Sequence, residues 1–146
     1  MKCHETAIVE SDSIGAGTCI WAYAHVLAGA TIGDNVQIGD HTFVEGGSSI
    51  GNNVTVKNQV CIWEGISIED DVFVGPRVTF TNDSNPRSPR MESAKARYSS
   101  RDNWLSRTSV RRGASIGAAA TICPGIEIGA FAVSYTHLTL PTNREV

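Results

Sequence analysis

The sequence predicts an all-β protein, a parallel β-helix built in six-residue steps and interrupted by one long loop. Three observations predict it. An aliphatic or aromatic residue recurs at every sixth position thirteen times running, at Ile8, Ile14, Ile20, Val26, Ile32, Ile38, Val44, Ile50, Val56, Ile62, Ile68, Val74 and Phe80. Four places after these, from Thr18 to Val78, every residue is small or β-branched. Ile-Gly at 14, 32 and 50, continued by Ile68-Glu69, adds a longer period of eighteen.

A period of six fits neither an α-helix at 3.6 nor a lone half-buried strand at 2. It fits a short strand followed by a sharp turn. Gly, Asn and Asp gather at the turns, in IGDN, IGNN and IEDD, where the backbone must visit left-handed dihedrals. Eighteen is three sixes, so three strands make one triangular coil. Equivalent residues then stack on the next coil about 4.8 Å away. The thirteen periodic residues should face inward and be mostly buried, because no single coil can bury them alone.

The rhythm stops after Phe80 and resumes at Val110, Ile116, Ile122 and Ile128. The interval 81–109 is rich in Ser, Pro and Arg and reads as an excursion from the helix. A loop of this length in a compact domain is functional or disordered, and coils on both sides favour function. Between Thr81 and Arg112 lie eight of the twelve basic residues, against Asp83, Glu92 and Asp102, for a local charge of +5; the rest of the chain carries −8. An anionic partner is drawn to that one segment.

At 146 residues the chain is one domain, expected over 1–132. Residues 133–146 leave the rhythm. Val133 to Thr142 read VSYTHLTLPT, which matches, residue for residue, one translated frame of a widely used transposase-library sequencing adapter. A non-native tail on a C-terminally truncated β-helix is therefore expected, and Tyr135 and His137 are given no functional weight. No apolar run approaches a membrane span, and MKCHETAIVESDS lacks a signal-peptide core. Cys3, Cys19, Cys61 and Cys123 form no C-x-x-C pair, as suits thiols in a reducing compartment. A cytoplasmic protein without nucleic-acid or membrane partners is expected.

Four stretches carry a resemblance: IWAYAHV, EDDVFVGPRVTFTN, NPR and VRRGASIGAAATICPGIEIG. Over roughly Cys3 to Ala132 the chain resembles the hexapeptide-repeat acyltransferases. It is most similar to the nucleotide-sugar N-acetyltransferases that acetylate the 3-amino group of a UDP- or dTDP-linked amino sugar for bacterial surface polysaccharide. The resemblance implies a left-handed helix, against the usual right-handed crossover. It also implies acetyl-CoA as cosubstrate, no metal, and a homotrimer with sites between subunits. Outer faces carrying Trp21, Trp63 and Phe73 suit side-by-side packing of prisms. One departure is that this chain has Ala22 and Tyr23 where the family usually has an aromatic pair preceded by His; His25 still matches.

The reaction needs an amine and a thioester held together, a donor for the oxyanion and an acceptor for the amine proton. No histidine lies between His41 and the tail. The resemblance gives Asn82, in FTN, the task of orienting the substrate amine, with the leaving thiolate as final proton acceptor. Arg87, after Asn85-Pro86, suits a diphosphate or uronate carboxylate, because a guanidinium binds two oxygens at once. Asn85 joins it on the substrate side. Arg111 and Arg112, with Gly117 in the same returning stretch, are candidates for the phosphates of the acyl carrier. Trp104 either stacks on a base or pins the loop. His25 points outward, towards a neighbouring subunit or the site, or has no role. Asn82 and Arg87 also read as a plain turn residue and a solvated charge. Asp83 and Glu92 are weaker base candidates.

Three other functions remain to be weighed. One is acetylation of another small acceptor on the same fold. A second is a non-catalytic β-helix, for which a +5 loop has no use. The third, a gamma-type carbonic anhydrase, needs three convergent histidines, two of them five residues apart; His25 and His41 are sixteen apart.

Overall fold

The computed structural model describes residues 1–134. They form a left-handed parallel β-helix with a triangular section. A first face has seven strands, from Lys2–Cys3 to Val133–Ser134. The second has six, from Ile8–Val9 to Thr121–Ile122, and the third five, from Thr31–Ile32 to Glu127–Ile128. Every strand pairs in parallel with the coil above or below, typically eighteen residues away, as in Cys19↔Gln37, Phe43↔Cys61 and Ser49↔Ser67. Three helical turns of one residue triplet each, Glu92–Ala94, Arg97–Ser99 and Arg101–Asn103, lie in the excursion.

The predicted inward residues form one core from Ile20 to Ile128. The residues four places on are inward too: all eleven from Thr18 to Val78 are buried. The first step differs from expectation. Ile8 is 57% exposed, because Ile8 pairs with His25 and it is Val9 that pairs with Val26 and packs against the core. Pairing on this coil spans seventeen residues, as Lys2↔Cys19 also shows, so the step from Val9 to Ile14 has five residues. Counting back by six from Ile14 lands on the outward neighbour.

The excursion leaves the register intact. Ile68 pairs with Val110, 42 residues on instead of eighteen, so 24 residues are inserted into one coil. At Val133–Ser134 the backbone still follows the coil, with Ser134 opposite Ile116. The other residues assigned to a non-native tail, 135–146, lie outside the described residues.

On the middle coils the left-handed corner positions differ by residue type. Between the third and first faces they are Asn35, Asn53 and Asp71, with Gly17, Gly113 and Phe131 at the same corner on the outer coils; the short polar side chains of the first three tolerate that conformation. Asn35 Nδ2 donates to Asn53 Oδ1 and Asn53 Nδ2 to Asp71 Oδ1, one bond per coil. Gly29, Gly47 and Gly65 serve between the second and third faces. Between the first and second stand Tyr23, His41, Gln59 and Arg77, all with positive φ, a placement that the turn composition did not foretell.

Gly51 is required for a different reason. A Cβ there would lie 2.8 Å from Asp70 N and 2.9 Å from Glu69 C on the next coil. Gly51→Ala should therefore destabilise by about 1–3 kcal/mol, through displaced backbone. Chemical denaturation is the measurement, and an unchanged midpoint would show that the coils part freely.

Candidate functional site

The candidate site lies where the second face ends and the excursion begins. Asn82 falls eighteen residues after Glu64 and stacks on it: Asn82 Nδ2 donates to Glu64 O at 3.1 Å. That bond fixes the amide orientation, because only the NH₂ side can donate to a carbonyl. Oδ1 is then the side left to accept from a ligand. Asn82 O accepts the Ser106 N–H at 2.9 Å, and Asp83 bridges Leu105, so the excursion is closed at its neck. Beside this neck is a shallow cavity of about 180 Å³ lined by Trp63, Phe80, Thr81, Asn82, Asp83 and Pro86. Trp63 donates its indole N–H to Phe80 O at 3.0 Å and so presents its ring as a wall.

Asp83 anchors the excursion. Its side chain is only 10% exposed and pairs with Arg97. Burial opposes its ionisation, but hydrogen bonds from Asn85 N–H, Tyr98 and Arg97, with the charge of Arg97, outweigh that and hold its carboxyl below the usual range. A carboxylate stabilised in this way is a poor general base, which removes the appeal of Asp83 in that role. Glu92 pairs with Lys95 at the exposed end of the loop.

The other predicted residues fall into separate groups. Asn85 donates its backbone N–H to Asp83 Oδ1 at 2.9 Å. Arg87 is exposed next to cavity-lining Pro86, whose carbonyl it binds at 2.9 Å through Nη1. Trp104 is half-buried with its ring 5.7 Å from that of Tyr98. His25 projects from the second face, pairs with Glu10 at 2.6 Å and meets Phe43 edge-on. Phe43 in turn meets Trp63 at 5.5 Å. Successive coils are about 4.8 Å apart, so His25 stands three coils from the Thr79 row and does not reach Asn82 within one chain.

Arg111 and Arg112 occupy another corner. Arg111 lies between Glu69 (2.8 Å) and Glu127 (2.7 Å), and Arg112 pairs with Asp71 at 3.0 Å. The Arg111 and Arg112 contacts hold the Glu69 carboxyl below its usual range. Gly117 donates its N–H to Ser134 O. One prism therefore does not gather Asn82, Asn85 and Arg87 with Arg111, Arg112 and Gly117. With Lys95 on Glu92 and Arg101 on Glu64, five of the eight basic residues of the +5 segment have carboxylate partners. Arg87, Arg90 and Arg107 make no such pair among the described residues.

Sequence reasoning gave Trp63 to an outer packing face, not to the cavity it lines, and missed Glu64 and Tyr98. The period of eighteen was a sufficient signal for Trp63 and Glu64, since it places them beneath Thr81 and Asn82. Nothing periodic marks Tyr98.

Comparison with known proteins agrees with the coil geometry. Residues 13–46 match the model of the bacterial transferase hexapeptide, six repeats. Those residues carry the hexapeptide repeat. A 35-residue stretch of it is 54% identical to dTDP-3-amino-3,6-dideoxy-alpha-D-galactopyranose 3-N-acetyltransferase of Aneurinibacillus thermoaerophilus, covering 24% of this chain and 18% of that protein. The fold is shared with a mutant perosamine N-acetyltransferase from Caulobacter crescentus, solved in complex with CoA and GDP-perosamine. There the TM-score is 0.50 and the identity 17%, over 92% of this chain and 51% of the other. The chain thus spans about half of that structure and less than a fifth of the curated relative. Among the described residues no three His, Cys, Asp or Glu side chains gather to hold a metal ion, and no helix is long and apolar enough to cross a membrane.

Proposed function

We propose that the protein transfers the acetyl group of acetyl-CoA to the amino group of a nucleotide-linked amino sugar, UDP- or dTDP-linked, at the cavity beside Asn82. The observation that carries this is the Asn82 amide, locked by Glu64 O with its oxygen left to accept. An acceptor oxygen takes one N–H of a neutral amine and turns the nitrogen lone pair towards an incoming thioester. The amine nitrogen bonds to the carbonyl carbon, the C–S bond breaks, and the CoA thiolate takes the proton that the nitrogen loses. The similarity to a dTDP-amino-sugar N-acetyltransferase supports this acceptor class.

On this reading Arg87 meets an anionic group of the acceptor, and Arg111, Arg112 and Gly117 are the candidates on the CoA side. The exposed Trp21 (39%) and Phe73 (40%) on the first face and the separation of Asn82 and Arg87 from Arg111 and Arg112 within one prism support the reading of a homotrimer. A neighbouring copy brings the second group to the first.

The test is acceptor-dependent release of CoA thiol, measured across UDP- and dTDP-linked amino sugars. Arg87→Ala should raise KM for the sugar about tenfold with little change in kcat, as expected when binding shared by ground and transition states is lost. No acceptor-dependent release with any of these sugars would reject the proposal.

A further inference from the structure

We infer that Tyr98 is a positioning residue, whose hydroxyl clamps the backbone of Arg87 to the carboxylate of Asp83 and so sets the acceptor-binding segment 82–87. The role in catalysis rests on the function proposed above; the clamp itself does not. Tyr98 Oη donates to Asp83 Oδ2 at 2.7 Å and accepts the Arg87 N–H at 2.7 Å. One hydroxyl thus uses its single proton on one partner and a lone pair on the other. The phenol ring is itself fixed, by Trp104 at 5.7 Å and by the Arg97 guanidinium over its face at 5.7 Å. Among the described residues this is the one hydrogen bond that ties 84–88 to any residue outside the 82–91 stretch.

The consequence concerns two residues of the site. Pro86 lines the cavity and Arg87 follows it. Without the clamp, both would be carried on a segment held only by its own turn. Asn82 would be unaffected, because its contacts run to Glu64 and Ser106. Tyr98 therefore governs how tightly the acceptor binds and leaves amine orientation alone.

The test is Tyr98→Phe, which keeps the ring contacts and removes the hydroxyl. Amide hydrogen exchange at Arg87 should quicken roughly tenfold or more, as expected when a hydrogen bond linked to a charged group is lost. In the same variant KM for the amino sugar should rise about tenfold, with kcat and KM for acetyl-CoA little changed. Unchanged exchange at Arg87 overturns the clamp, and faster exchange with an unchanged sugar KM overturns the positioning role. If Tyr98→Phe does not fold, Tyr98→Met, which also lacks the hydroxyl, takes its place under the same criteria. If the wild-type protein transfers no acetyl group, the proposed function fails, and exchange at Arg87 alone decides the clamp.

Discussion

Asn82→Ala should lower the turnover of acetyl transfer by about 10- to 1,000-fold, equivalent to a positioning contact of roughly 1.4 to 4 kcal/mol. On the proposed reading the amide is set for this task before any substrate arrives. Glu64 O fixes its NH₂ side, and the backbone of Asn82 is tied to Ser106. An alanine keeps the backbone tie and loses both the fixed amide and its acceptor oxygen. The fold should be preserved, so a thermal melt should change little. His25→Ala should retain measurable turnover, because His25 is engaged by Glu10 and stands away from the cavity in its own chain. If His25→Ala abolished turnover in a correctly folded protein while Asn82→Ala was neutral, the roles would have to be exchanged and a histidine base restored.

Ile62→Ala should destabilise the protein by about 2–5 kcal/mol, the range for deleting a fully buried aliphatic side chain. Ile62 is completely buried, with Val44 opposite it on one neighbouring coil. In a stack where each coil touches only its neighbours, a cavity at the middle divides the array. Ile8→Ala supplies the contrast. Ile8 belongs to the same six-residue series but points outward, so its loss should lie within about 0.5 kcal/mol of wild type. Equal costs for the two variants in a denaturation series would show that the first coil holds the regular register after all.

The coils were legible because one rule is applied in every strand. Each turn of the prism buries a residue such as Ile32 or Ile50 at the same place, and a one-residue slip would expose the whole set. The slip that does occur, at Val9, was concealed because Ile8 is also apolar and only the pairing partner tells them apart. The corner with Tyr23, His41, Gln59 and Arg77 was not legible, since residues in that conformation are usually Gly or Asn. The excursion was legible as an interruption and not in its contents. Its conformation comes from contacts between sequence-distant groups, such as Asp83 with Arg97 and Tyr98 and Glu64 with Arg101, and no period encodes them. For the same reason the +5 count overstated the charge available to a ligand.

The most direct test of the central claim is the identity of the product. The protein, acetyl-CoA labelled in the acetyl group and a UDP- or dTDP-linked amino sugar are incubated together, and the sugar is analysed by mass spectrometry and NMR. The account predicts one labelled acetyl group in amide linkage to the sugar nitrogen, formed with one equivalent of CoA and lost in large part with Asn82→Ala. A label found only on a sugar oxygen, or an amide formed equally well by Asn82→Ala, would contradict it.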